Sequence, residues 1–386
     1  MLGIKKGLPM LYFFGFVLSV SLALPAYIAS TFLEKFSGIG NVGIFFIGSA
    51  LVAMIAVNFF PYYIKRFSNY KITLYVLILY FLSIFLLINA QTKISAFIYF
   101  SLMTAFTNLL FINMDVFVER FTKVGLTGRV RTVYFTFINA GWLISPFIVG
   151  RFVGIDNYVY IYSISAALVV PVFVVLALKK KTFLDHTEYE HHNTLDTIKM
   201  VWQNKNLRGA FNISFLLQLF YGVAVIYIPI YLHQYIGFSW ATIGIIFTAM
   251  LLPFVLIEIP AGIIADKYIG EKEIMTGGLL ILSATTFSMF FIHSTNPWLW
   301  AGLLFTNRCG AALFEAMRET YFFKMVNIKD VDYVNVFRNT NNLGYLTAAV
   351  LGVVVLHFLS IGYIFIFTSL ILLSGLYFIF HMKDTK

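Results

Sequence analysis

Apolar residues run through this chain in blocks of roughly twenty or more, each closed by a short polar or charged turn. The blocks fall near 8–32, 39–64, 72–89, 94–118, 130–150, 157–178, 209–235, 239–265, 273–292, 297–320, 335–358 and 361–381. In hydrocarbon every backbone N–H and C=O needs an internal partner, which leaves helices or a closed barrel. Runs of this length, rather than short alternating strands, select helices. The pattern predicts an all-α membrane protein of twelve transmembrane helices. The first block is too long for a removable signal peptide and has no clear small-residue cleavage site, so it is read as the first helix.

One polar stretch is longer than the rest. Residues 179–208 open with Lys179-Lys180-Lys181, pass an acidic patch bearing His186, His191 and His192, and reach Leu195, Ile198 and Trp202 at helical spacing. That spacing predicts a short amphipathic helix lying on the cytoplasmic face. The histidines have the chemistry for metal binding or pH sensing, with a solvated loop as the plainer reading. The stretch divides the chain into a six-helix bundle over 1–178, a connecting loop over 179–208 and a second bundle over 209–386.

Composition agrees: 60% of residues are hydrophobic and 11% charged, with a mean hydropathy of +0.86. Soluble domains do not have this balance. A formal charge of +10 would suggest nucleic acid in a soluble protein. Here the basic residues sit in short loops, which points instead to anionic lipid headgroups and to orientation. With the amino terminus inside, all 27 Lys and Arg except Lys35, Lys93, Arg151 and Arg308 fall in cytoplasmic loops or at cytoplasmic helix ends. Both termini are therefore expected on the cytoplasmic side of the plasma (inner) membrane. The single cysteine, Cys309, excludes an intramolecular disulfide, and no Cys/His spacing suggests zinc.

The halves repeat with an offset near 200 residues. Phe60-Pro61-Tyr62-Tyr63-Ile64-Lys65-Arg66 takes the place of Ala261-Gly262-Ile263-Ile264-Ala265-Asp266-Lys267, and Asp115-x-x-x-Glu119-Arg120 lies opposite Glu315-x-x-Arg318-Glu319. Gly262-x-x-x-Asp266-Lys267, followed by Gly270 and Lys272 between two spans, resembles the loop signature of the major facilitator superfamily of secondary transporters. The resemblance implies two parallel six-helix repeats rocking around a midplane site. It implies gating roles for Asp266 as a latch, with Gly262 admitting a close helix and Lys267 at the cytoplasmic surface. Arg318 is the expected partner of Asp266, together with backbone amides near Arg129 and Arg131. In the first half Pro61 replaces the glycine and Lys65 the aspartate, so the acidic cap is missing there. Asp115, Glu119 and Arg120 form the expected gate-side charge cluster of the first half.

Charges inside spans are costly and face an interior or a cavity. Arg308 lies about halfway along its block, suited to an anionic substrate group or to pairing with Glu258 or Glu315. Glu315, seven residues on, shares its helix face. Glu258, just before Pro260, is the candidate proton carrier. Among uncharged residues, Asn108, Asn139, Gln218 and Asn342 are candidate cavity amides, with Asn113, Asn212, Asn339 and Asn341 as further ones. Tyr27, Tyr221 and Tyr227 are candidate aromatic walls. Gly141-Trp142-Leu143-Ile144-Ser145-Pro146 resembles the helix 5 signature of the superfamily's antiporters, with Ser145 where glycine is expected. Glu258-Ile259-Pro260-Ala261-Gly262 resembles segments of its drug-efflux branches.

These features predict a monomeric secondary transporter, not an enzyme, working by alternating access without a cofactor or metal. The expected partners are a small-molecule substrate, protons and membrane lipids, and no nucleic acid. Proton-coupled export of a small organic or amphipathic compound leads. Proton-coupled uptake of a sugar or organic anion is the alternative, and a membrane sensor or lipid-handling enzyme is the alternative of another class. No Gly-rich phosphate loop is present, which argues against ATP-driven transport by this chain alone.

Overall fold

The computed structural model describes residues 7–121, 127–153, 157–184, 194–325 and 331–383. Among them every regular element is helical: α1 (Leu8–Ser37), α2 (Val42–Arg66), α3 (Asn69–Ile88), α4 (Lys93–Phe121), α5 (Thr127–Phe152), α6 (Tyr158–Leu178), the single turn α7 (Lys180–Phe183), α8 (Thr194–Gln203), α9 (Lys205–Ile230), α10 (Trp240–Leu256), α11 (Glu258–Ile264), α12 (Glu271–Ser288), α13 (Pro297–Met325), α14 (Val331–Phe358), α15 (Tyr363–Leu373) and α16 (Gly375–His381). Nine helical segments among the described residues are long and apolar enough to cross a membrane. More polar α5, α12 and α13 bring each half of the chain to six long segments.

The chain forms two compact units: Met1–Gly38 with Gly48–Glu190, and Ile39–Ile47 with His191–Lys386. Each unit is built on one buried helix. In α1, and in α9 with its extension to Tyr235, 78% of the apolar window is buried, against 33–44% in the other seven spans. The other spans therefore keep an apolar face outward, with Ile55, Phe85, Leu178 and Val354 among the exposed side chains. In a bilayer such a face is solvated by lipid.

Without a hydrophobic force between helices in lipid, close backbone approach has to supply the packing. In the first unit, a Cβ on Gly141 of α5 would stand 2.9 Å from the Phe16 carbonyl of α1 and closer still to Ser19. Ser21 of α1 and Ser165 of α6 each donate to the other's carbonyl, at 2.8 and 2.7 Å, and Tyr80 of α3 joins them. In the second unit, a Cβ on Gly344 of α14 would meet the α9 backbone at Gln218, 2.5 Å away. Ser369 of α15 bonds the Ser283 carbonyl of α12.

The repeat offset varies from helix to helix: α9 starts 197 residues after α1 (205 against 8), α13 204 after α4 (297 against 93) and α15 205 after α6 (363 against 158).

Two expected spans are interrupted. Pro260 has no N–H to offer the Leu256 carbonyl, and the helix breaks there into α10 and α11. Block 361–381 is divided at Ser374 into α15 and α16. The amphipathic helix is present as α8, with Thr197 and Val201 buried while Ile198 and Trp202 are exposed. The Leu195 side chain lies outside the described residues, as do His186, His191 and His192.

Candidate functional site

The polar side chains of the second unit converge on a seam shared by α9, α13 and α14. Helix α13 supplies Arg308, Glu315, Arg318 and Glu319, α9 supplies Ser214, Phe220 and Tyr221, and α14 supplies Phe337, Arg338 and Thr340. The spacings of seven and then three along α13 put Arg308, Glu315 and Arg318 on one face.

Arg318 is the anchor. Its side chain is 2% exposed, and its guanidinium donates to Glu319 Oε1 at 2.5 Å and to Ser214 Oγ at 2.8 Å. It also lies 3.7 Å from Glu315 Oε1 and 5.2 Å from the centre of the Phe337 ring. Thr340 donates its hydroxyl to the Phe337 carbonyl at 2.6 Å, so its 2.7 Å contact with Ser214 must be a bond donated by Ser214. The hydrogen-bond chain thus runs one way, from Arg318 through Ser214 and Thr340 to the α14 backbone. Arg338 donates to both carboxylate oxygens of Glu319, at 2.8 and 3.3 Å. Glu319 therefore ties the buried arginine of α13 to the more exposed arginine of α14.

Tyr221 links the other two charges. Its hydroxyl donates to Glu315 Oε2 at 2.5 Å, and Arg308 lies over its ring at 5.7 Å and over Phe220 at 5.0 Å. Arg308 is 5% exposed and stands near the middle of α13. Stacking on aromatic faces is a strong mode for a desolvated guanidinium. Among the described residues Glu315 makes its ion contact with Arg318, with Tyr221 connecting it to the Arg308 stack. A direct Arg308–Glu315 ion pair, one of the sequence expectations, is not formed. The Glu315 side chain keeps 29% exposure while held by a phenol and an arginine.

The other expected residues are dispersed. Asn108 bonds back to the Thr104 carbonyl on its own helix at 2.9 Å, as Asn113 does to Leu109 and Asn212 to Arg208. Asn139 and Gln218 are half-buried and Asn342 is buried, while Tyr227 bonds the Ala349 carbonyl at 3.3 Å. Arg120 donates to the carbonyls of Phe183 and Leu184, at 2.5 and 3.0 Å, and so holds the end of α7. Asp115 is half-buried on α4. No described atom comes within 4 Å of a Cβ built on Gly262, so the close helix expected there is not seen. The side chains of Glu258, Asp266, Lys267 and Glu119 lie outside the described residues.

Sequence reasoning missed Arg338 and the shared role of Glu319. The available signal was the polar run Arg338-Asn339-Thr340-Asn341-Asn342 opening an otherwise apolar helix.

The sequence matches the Major Facilitator Superfamily over residues 210–386. The seam lies within the matched residues. Over the whole chain, solved structures of low sequence identity share its fold. The in meso crystal structure of the POT family transporter PepTSo aligns with a TM-score of 0.80 at 11% identity, covering 98% of this chain and 97% of that one. A POT family transporter in complex with a thioalcohol conjugated peptide aligns at 0.78 and 14% identity, covering 97% and 95%. Another, in complex with 5-aminolevulinic acid, aligns at 0.78 and 13%, covering 98% and 96%. A search of curated proteins returns no match.

Proposed function

We propose that this chain is a membrane transporter of the major facilitator type that moves a small organic molecule bearing formal charge, coupled to protons, by alternating access. The observation that carries the reading is the Arg308–Tyr221–Glu315 arrangement. A cation stacked near the middle of a helix suits a substrate carboxylate or phosphate. The partly exposed Glu315 suits a substrate amine or a proton. A lipophilic substrate needs neither group, so this reading favours a charged solute over the amphipathic compound expected from sequence. The fold neighbours that hold a peptide conjugate and 5-aminolevulinic acid support the same substrate class.

Uptake is the first reading of direction. Export is the second, supported by the helix 5 resemblance and by Gly141, which seats α5 on α1. Glu258 stays in the proposal as a second proton carrier, and Asp266, Gly262 and Lys267 as gating residues with both termini in the cytoplasm. Asp115, Glu119, Arg120 and Arg318 complete the proposed gate. Asn108, Asn139, Gln218 and Asn342 are proposed as uncharged cavity groups. The test is counterflow and pH-gradient-driven flux in proteoliposomes loaded with amino acids, short peptides or organic acids. Glu315→Gln is expected to retain counterflow and lose the response to the gradient. Gradient-driven flux unchanged in Glu315→Gln removes Glu315 from coupling, and flux unchanged in Arg308→Ala removes the anion anchor.

A further inference from the structure

A cavity of about 190 Å³ lies at the end of the second unit away from Glu271 and Lys383, lined by Tyr231, Tyr235, Phe290, His293, Thr295 and Ser360 among others. Residues Tyr231–Tyr235 form a π-helical turn continuing α9, closed by the Ile236 N–H bonding the Tyr231 carbonyl at 3.0 Å. Such turns are rare and concentrate at functional sites. Here the turn stacks the Tyr231 and Tyr235 rings at 6.1 Å with 12° between their planes. Tyr231 is itself held edge-on by Trp300 and Phe365, and Phe290 is held by Tyr363. The aromatic wall is therefore fixed by packing behind it.

The chemistry of the lining selects a ligand class. Among the described residues no Asp, Glu, Lys or Arg lines the cavity, so a charged guest would find no counter-charge there. Hydroxyls of Tyr231, Tyr235, Thr295 and Ser360 and the His293 imidazole supply donors and acceptors beside the rings. The volume is below the ~300 Å³ of sites for drug-sized ligands, and the mouth is open on the side of His293, Thr295 and Ser360, which are exposed. We infer that this cavity is a binding site for a small, neutral, planar aromatic molecule with one hydrogen-bonding group, of the phenol or indole class. It is separate from the charged seam and does not depend on the proposal made for it.

The experiment is ligand-observed saturation-transfer NMR with p-cresol on the full chain in lipid nanodiscs, with empty nanodiscs as the blank. Saturable binding is expected to disappear in Ser360→Trp and in Thr295→Trp. Both fill the cavity from exposed positions, so that at least one is expected to keep the parent melting temperature. His293→Ala is expected to weaken binding by about 2- to 10-fold, as for one hydrogen bond. Binding that survives both tryptophan variants overturns the proposal. So does equal binding of non-planar cyclohexanol, which indicates lipid-like partition, or selective binding of tetramethylammonium, which indicates a cation site.

Discussion

Replacing Glu319 by glutamine tests the charge balance of the seam. Glu319 Oε1 accepts from Arg318 at 2.5 Å and from Arg338 at 2.8 Å. The two arginines are not equivalent, since their side chains are 2% and 40% exposed. Water can solvate Arg338, and its exposed pair with Glu319 is worth only about 0–1 kcal/mol. Arg318 has no such recourse, and stranding a buried charge costs about 3–5 kcal/mol. Because Glu315 remains 3.7 Å away and Ser214 2.8 Å away, the cost should fall at the low end, about 3 kcal/mol. At about 2–4 °C per kcal/mol for a unit of this size, Glu319→Gln is expected to lower the melting temperature by roughly 6–12 °C. The assay is size-exclusion thermostability in detergent. Converting Arg318 to methionine in the same chain removes the stranded charge, so the double variant is expected to recover at least half of the loss. A shift under ~2 °C in the single variant, against the ~6 °C or more expected, refutes the reasoning. A double variant less stable than the single one refutes it as well.

Gly278→Ala places a Cβ 2.8 Å from the Gly310 carbonyl and 2.9 Å from the Phe314 nitrogen. Backbone cannot yield as a side chain can, so folded yield on size exclusion is expected to fall; a normal yield contradicts the tight α12–α13 crossing. Tyr221→Phe removes a hydrogen bond to a carboxylate worth about 1.5–3 kcal/mol, and counterflow is expected to drop roughly tenfold or more with the fold intact. Unchanged counterflow removes Tyr221 from the site. Arg120→Ala releases the Phe183 and Leu184 carbonyls, so trypsin is expected to cut faster at Lys179–Lys181, followed by gel electrophoresis over time. Equal cutting rates show that Phe183, wedged among Phe14, Phe117 and Phe121, holds α7 without the arginine.

Much of this molecule was legible in its sequence because the bilayer constrains it one segment at a time. Each helix must satisfy its own backbone and present apolar side chains, and both demands are written locally, in block length and hydropathy. That physics made the helical class, the polar divide near 179–208 and the odd position of Arg308 readable without a structure. The break before Pro260 was not read, although its missing N–H acts within one turn. Lateral position is a different matter. Tyr221 bonds Glu315 across 94 residues of chain and Arg318 bonds Ser214 across 104, and nothing local to either residue encodes which helix lies beside it. Composition could not say which rings would lie beside Arg308; only the packing of α9 against α13 set it on Phe220 and Tyr221. The same holds for Arg338, unremarkable at the start of its helix until Glu319 is found opposite. Hydropathy sets which segments enter the membrane, one helix at a time. Ion pairs and stacking depend on distances of a few ångströms between helices, and only the folded units fix those distances.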